Sequence, residues 1–214
     1  MTQALSQPLT FEEYLETYPS DGGIYELING EIIAVNPTGD HEEVIAFIVA
    51  ELNFAIRRRN LAYFLPRTCT VKPQTPFMGY KPDIVVLDKN ALPEEPFWKK
   101  SSTITEGSST PLVIEVVSTN WRDDYGHKLT DYEALNIPEY WIVDYLGLGG
   151  RRYIGFPKQP TLTICELIDG EYQLQKFRGS DRALSAALRD RVVSKTFPEL
   201  NLTATNIFNA GRYE

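Results

Sequence analysis

Two short runs of β-branched and aliphatic residues stand out along the chain, Pro82-Asp83-Ile84-Val85-Val86-Leu87 and Pro111-Leu112-Val113-Ile114-Glu115-Val116-Val117-Ser118. Apolar runs of this length, bounded by Pro, Ser or Lys, read as fully buried strands. Ahead of them, Thr10-Phe11-Glu12-Glu13 fits a capping box and predicts a short helix through about Tyr18. Segments 24–28 and 31–35 flank Asn29-Gly30, a turn that needs positive φ at both centres, and predict a β-hairpin. After Pro37-Thr38-Gly39-Asp40, apolar residues at Val44, Ile45, Phe47, Ile48, Leu52, Phe54, Ala55 and Ile56 predict a long core-packing helix through about Asn60.

Residues 61–71 read as one or two strand segments, with Pro66 marking an edge or a bend. Residues 72–81 form a loop, and 88–110 a long polar insertion whose Ser/Thr/Gly stretch, 101–110, is expected to be mobile. A helix over about 120–135, closed by Asn136-Ile137-Pro138, leads into a strand at 139–144. Strand, helix and strand in so little chain predict a crossover unit: parallel strands, with the helix over the sheet near Glu115. Beyond Tyr145, Gly147, Gly149 and Gly150 mark a turn, and 151–156, 162–168 and 171–177 read as strands, the last two joined at Asp169-Gly170. These predict an antiparallel extension, with a turn or short helix at 180–187, one more strand at 191–194 and a terminal helix at 203–209. The fold class is α/β (α+β), expected to form one domain over residues 1–214.

Composition and charge narrow this picture further. With 214 residues and 43% hydrophobic content, the chain can bury one sizeable core. No apolar run approaches the roughly 18–20 residues of a membrane span, and residues 1–8 lack a signal-peptide pattern, so a soluble cytoplasmic protein is expected. Cys69 and Cys165 lie in strand-like contexts without CxxC or His spacing, as buried apolar fillers rather than disulfide or zinc ligands. A formal net charge of −8 opposes the broad basic face of a nonspecific nucleic-acid binder. Basic residues nevertheless cluster at Arg57-Arg58-Arg59, Lys99-Lys100 and Arg151-Arg152, although the first cluster reads equally well as cations complementing a helix C-terminus.

Chemistry enters through the exceptions. Asp83 and Glu115 each place a carboxylate in an otherwise apolar strand, where a lone ionised group costs several kcal/mol. On neighbouring strands they would converge, and like charges about 4 Å apart repel by roughly 4 kcal/mol at an effective dielectric near 20. A divalent cation would turn that repulsion into a site. Glu26 is the odd residue of the hairpin, either an outward-facing strand position or a third acid. His41, at the first turn of the long helix, reads as structural or functional. No Walker loop, GxSxG elbow, HExxH or dinucleotide fingerprint is present.

Taken in order, Tyr25-Glu26-Leu27-Ile28-Asn29-Gly30-Glu31, His41, Pro82-Asp83, Ile114-Glu115-Val116-Val117-Ser118, Lys128 and Pro138-Glu139-Tyr140-Trp141-Ile142-Val143-Asp144 resemble a bacterial family of uncharacterised proteins. That family is abundant in cyanobacteria and labelled putative restriction endonucleases, with the fold of the PD-(D/E)XK nuclease superfamily. The resemblance runs from about Tyr25 to Asp144 and weakens toward the C-terminus. It implies a restriction-endonuclease-like mixed central sheet flanked by helices, with a nuclease core over about 24–145 and the antiparallel extension over about 146–214. It further implies that Asp83 and Glu115, with the main-chain carbonyl of Val116, hold Mg²⁺ or Mn²⁺. The implied catalytic set is Asp83, Glu115, Lys128 and Glu26, with His41 near the substrate; Tyr132, one turn along from Lys128, reads as a substrate neighbour or as a core residue. The implied activity is metal-dependent endonucleolytic hydrolysis of DNA phosphodiester bonds, and the implied assembly is a homodimer, because cutting both strands takes two sites.

One position departs from the pattern. The superfamily's lysine stands two residues after the second acid, on the same strand face; here that residue is Val117. Lys128 is the substitute, reaching back from the following helix, unless it is an ordinary exposed helix lysine. The adjacent His127 is expected to face solvent. The departure gives weight to an alternative, a nuclease-like domain that has lost catalysis and serves as a binding or structural module.

Overall fold

The computed structural model describes residues 7–178 and 191–210. Its centre is a six-stranded mixed sheet in the order β10-β9-β8-β7-β5-β3. The strands are β3 (Tyr63–Phe64), β5 (Ile84–Asp88), β7 (Leu112–Val116), β8 (Glu139–Asp144), β9 (Thr161–Ile168) and β10 (Glu171–Arg178). Only β7 and β8 are parallel neighbours; the other pairings in this sheet are antiparallel. Two small sheets flank it, the hairpin β1 (Ile24–Ile28) with β2 (Glu31–Val35) and the parallel pair β4 (Thr70–Val71) with β6 (Thr103–Ile104). Helix α1 (Phe11–Thr17) carries the expected capping box, and Asn29 (φ 52°) and Gly30 (φ 79°) make the hairpin turn with positive φ at both residues.

Strand alternation divides the core in two. Ile84, Val86, Leu112, Ile114, Val116, Trp141 and Val143 face one way and pack on Val44, Ile48, Leu52 and Ile56 of α2 (Gly39–Arg59). Val85, Leu87, Val113, Val117, Tyr140 and Ile142 face the other way. There they meet Tyr132 and Leu135, beside α5 (His127–Ala134). A strand with both faces covered can hold aliphatic residues continuously, which is why β5, β7 and β8 read as unbroken apolar runs. The same alternation puts Asp83 and Glu115 on the α5 side.

The crossover from β7 to β8 runs as expected beneath helices, but in two pieces, α4 (Trp121–Tyr125) and α5, rather than one. The break is at Gly126 (φ −118°, ψ −95°), where a Cβ would come within 2.6 Å of the Arg122 carbonyl oxygen. Residues 61–71 form two strands that join different sheets, with Pro66 between them.

Three further expectations are corrected. Residues 151–156, read as a strand, form the short helix α6 (Arg151–Ile154), bracketed by Gly150 and by Gly155 at φ +83°. Apolar Ile154 and Phe156 could satisfy strand alternation, but only Ile154 is buried. The Ser/Thr/Gly stretch expected to be mobile is instead packed around Glu95. This buried carboxylate accepts hydrogen bonds from the Thr105 and Glu106 backbone N–H groups and from the Ser109 hydroxyl. In the segment 191–194 there is no strand but a single bridge, Arg191 to Thr203. The expected helix near the C-terminus is α7 (Ala204–Phe208), capped by Thr203, and α3 (Trp98–Ser101) lies in the insertion. Segment 180–187 lies outside the described residues. Cys69 and Cys165 are both buried, as read from their contexts.

Candidate active site

β5 and β7 set the first pair of acids. Ile84 lies opposite Ile114 in an antiparallel register, so Asp83 comes level with Glu115. Asp83 Oδ2 accepts a 2.7 Å hydrogen bond from the backbone N–H of Val116, which ties the residue before β5 to the end of β7. Glu115 is almost fully buried, and its Oε1 accepts a 2.8 Å bond from the Tyr132 hydroxyl of α5. Tyr132 is therefore both a core residue and a neighbour of the acid.

Lys128 is the centre of the cluster. It is 6% exposed, and its Nζ lies 3.1 Å from Glu115 Oε1, 3.2 Å from Glu26 Oε1 and 3.6 Å from Asp124 Oδ1. The exposed-lysine reading is excluded by this burial; the exposed residue is His127, as expected. Glu26 arrives from a separate sheet. Leu27 of β1 exchanges two 2.9 Å backbone hydrogen bonds with Gly79, and Glu26 Oε1 accepts another, of 2.8 Å, from the Lys81 N–H. The hairpin acid thus faces inward, not to solvent. Asp124 was missed from sequence, although its spacing of four residues from Lys128 on a crossover helix was a usable signal.

His41 is buried beneath the acids. Its Nε2 is 2.8 Å from the Val116 carbonyl oxygen and 3.4 Å from Asp83 Oδ2, so Nε2 carries the proton that the carbonyl accepts. Its Nδ1 is buried without a hydrogen-bond partner. Burial disfavours the imidazolium, but the Asp83 carboxylate and the Val116 carbonyl outweigh that and raise its pKa.

Charge defines what the cluster can do. Burial, and then Asp83, Asp124 and Glu26, hold the Glu115 carboxyl well above the usual carboxylate range, against the opposing pull of Lys128. Burial likewise raises Asp124 to about 7, again against Lys128, with Asp83 and Glu26 adding to the rise. For Lys128, burial acts to lower the pKa, yet Glu115, Glu26, Asp124 and Asp83 together raise it well above that of a free lysine. Three carboxylates thus surround one ammonium, with Asp83 adding its charge from farther off, and the donor set of hard carboxylate oxygens with the Val116 carbonyl fits a hard divalent cation. Among the described residues no group of three or more His, Cys, Asp or Glu side chains is placed to hold a metal ion. A cation here would take the two carboxylates and the carbonyl, with water or substrate oxygens in its remaining positions.

These residues line one cleft of about 450 Å³, together with Lys81, Ser118, Thr119, Asn120 and Asp123. Lys81, which sequence reasoning passed over, also lines the cleft; its ammonium lies 5.2 Å from the Tyr18 ring centroid, and burial lowers its pKa. A smaller cavity of about 120 Å³, between the end of α2 and residues 196–201, is lined by apolar side chains and the Arg59–Glu199 ion pair. It lies away from the acids.

A mixed sheet covered by helices, with two acids side by side on neighbouring strands and a lysine brought against them, is the arrangement of a restriction-endonuclease-like fold. The family model described as Uma2, putative restriction endonuclease, matches residues 11–204, and the chain belongs to that family. The fold is also similar to the crystal structure of a putative nuclease belonging to DUF820 from Anabaena variabilis. That match has a TM-score of 0.66 and 19% identity, covering 96% of this chain and 100% of the other. No protein in the search of curated proteins matches. Among the described residues no helix is long and apolar enough to cross a membrane.

Proposed function

We propose that this protein is a metal-dependent endonuclease that hydrolyses DNA phosphodiester bonds in the cleft between β7, α4 and the β1–β2 hairpin. The observation that carries this reading is the delivery of Lys128 from α5 to within 3.1 Å of Glu115, which restores in space the cation that Val117 does not supply on the strand.

Asp83, Glu115 and the Val116 carbonyl would hold Mg²⁺ or Mn²⁺. When bound, such an ion supplies Lewis acidity to the scissile phosphate and acidity to its water. The protein's own groups divide the remaining work. Lys128 keeps its proton at any working pH, so it acts as a fixed positive charge toward phosphate and not as a base. Glu26 and Asp124 hold that ammonium in place, and Tyr132 orients Glu115. Asp124, near pKa 7, is the cleft carboxyl suited to exchange a proton at neutral pH. His41 steadies the Val116 carbonyl and Asp83 from below.

A second reading, a catalytically silent binding module, draws on the same lysine, because three carboxylates already surround its ammonium. The discriminating experiment is nicking of supercoiled plasmid in Mn²⁺ and in Mg²⁺ at low salt, with Asp83→Asn, Glu115→Gln and Lys128→Ala alongside. Cleavage by the wild type that all three substitutions abolish supports the nuclease. No cleavage by the wild type, or equal cleavage by all four proteins, removes it in favour of the binding module. A homodimer would give linear product beside nicked circles, and light scattering showing a monomer at high concentration would exclude it.

A further inference from the structure

β7 and β8 are parallel, so the chain leaves both strands at the same end of the sheet. Helix α4 follows β7 and α6 follows β8, and the two exits therefore come together. The Trp121 and Tyr153 rings are 6.1 Å apart edge to face, and Tyr153 in turn stacks on Tyr125 at 4.7 Å. Gly150 lies so close to Trp121 that a Cβ there would come within 3.0 Å of the indole. Asp144 fixes the intervening turn by accepting 2.8 Å bonds from the N–H groups of Leu148 and Gly149.

Two arginines sit on this aromatic base, and a third on Phe156 beside it. The Arg122 guanidinium lies 4.8 Å from the Trp121 ring, Arg151 lies 4.6 Å from the Phe156 ring, and Arg152 lies 6.0 Å from the Tyr153 ring. Arg59 and Lys195 are exposed cations held by carboxylates, Glu199 and Glu166. Among the described residues, Arg122, Arg151 and Arg152 have no such carboxylate partner. Phe156 is 76% exposed, the most exposed of the large hydrophobic residues described. Its loop is fixed nonetheless, since Arg178 donates to the Ile154 carbonyl and Lys158 to the Leu148 carbonyl, each at 2.9 Å. Asn120, Asp123 and Asp124 line the cleft with Arg122 between them in the chain, so the ridge adjoins the cleft through α4.

We infer that the ridge formed by Arg122, Arg151, Arg152 and Phe156 is the track for a single-stranded segment of nucleic acid entering or leaving the cleft. That a nucleic acid occupies the cleft rests on the nuclease reading; the ridge supplies its own chemistry. Guanidinium groups free of carboxylates match phosphate oxygens with paired N–H donors. An exposed aromatic ring stacks any unpaired base, whereas bases in a duplex keep their faces covered. The arrangement also answers the chain's acidic balance, because the arginines gather where the backbone would lie while the net charge stays at −8.

The test is fluorescence anisotropy of a labelled oligo(dT) of about 15 nucleotides, in EDTA across a series of salt concentrations, so that no cleavage is required. The Arg122→Gln, Arg151→Gln, Arg152→Gln triple variant should bind at least about tenfold more weakly, with its log–log salt slope reduced by about two, as three single-strand phosphate contacts require. Phe156→Ala should weaken binding about tenfold and leave the slope unchanged. Arg57→Gln with Arg58→Gln, a loss of charge away from the ridge, should bind like the wild type. Wild-type affinity in the triple variant, no binding by the wild type, or equal affinity for a duplex of the same length would overturn the track. Plasmid cleavage with no effect of the ridge variants on binding leaves the nuclease and removes the ridge. Binding that depends on the ridge without any cleavage does the reverse.

Discussion

Lys128 Nζ and Glu115 Oε1 stand 3.1 Å apart although the two residues lie on different elements, a helix and a strand. With Glu26 and Asp124 at 3.2 and 3.6 Å, this ammonium is the cation that three buried carboxylates share. Removing one partner of such a group leaves buried charge uncompensated, a loss of about 3–5 kcal/mol. Lys128→Met should therefore lower the unfolding free energy, measured by urea titration, by that much, and adding Glu26→Gln to it should recover part of the loss. A Lys128→Met protein as stable as the wild type would mean the ammonium does not hold the cluster together.

Metal should act on stability through the same acids. At a hundredfold excess over its dissociation constant, a ligand adds about 2.7 kcal/mol, which for a protein of this size shifts melting upward by on the order of 5–10 °C. Mn²⁺ should give the wild type such a shift and give Asp83→Asn and Glu115→Gln little or none. Scanning fluorimetry in EDTA and in Mn²⁺ measures it, and equal shifts in all three proteins would rule out those two carboxylates as the ligands.

Asp124 gives the stability a pH dependence of known sign. Its pKa rises on folding from 3.8 to about 7, so the folded state holds the proton more tightly. The corresponding stability is complete below about pH 4 and is lost as pH rises toward and through 7. Asp124→Asn lacks this titration, so relative to the wild type it should gain stability between pH 4.5 and pH 7.5. Urea midpoints of both proteins at the two pH values give the comparison, and a gap that stays constant or moves the other way would contradict the raised pKa.

Glu139 offers a contrast, a buried acid with no part in the cleft. Its Oε1 accepts from the Trp141 indole at 2.6 Å, and its Oε2 accepts from the Ser194 hydroxyl at 3.0 Å and the Thr196 N–H at 2.8 Å. It joins β8 to the segment that packs Phe197, Leu200 and Leu202 into the core. Hydrogen bonds to a charged group are worth about 1.5–3 kcal/mol each, so Glu139→Ala should cost on the order of 3–5 kcal/mol by urea unfolding. Mn²⁺ should raise melting in this variant by as much as in the wild type, which separates it from Asp83 and Glu115.

Much of this was legible in the residues themselves. Asp83 and Glu115 announced themselves because a carboxylate inside an aliphatic run needs a reason, and alternation alone put them on one face. Asn29-Gly30 fixed the hairpin and Thr10 with Glu13 fixed the first helix, since both are local signals that need no tertiary partner. What could not be read is what depends on partners distant in sequence. Glu26 turns inward because Gly79 and Lys81 hold its strand, and Glu95 organises a Ser/Thr/Gly stretch that looks unanchored by composition. Arg151 to Phe156 misled because a short segment satisfies strand and helix patterns alike, and the flanking glycines decided the matter. Asp124 was within reach, one helical turn before Lys128, but its role emerges only when α4 is laid beside β7.

Val117 is buried among the aliphatic residues of the α5 side of the sheet, in the very position where the superfamily's pattern has its lysine. A pattern search that asks for an acid and a lysine two residues apart would reject this chain at that position. The ammonium it seeks is present, displaced by eleven residues of sequence yet in hydrogen-bonding range of the acid. On the nuclease reading, catalogues of such sites compiled by spacing would undercount them, and a filter on the distance between charges in folded coordinates would bring them back.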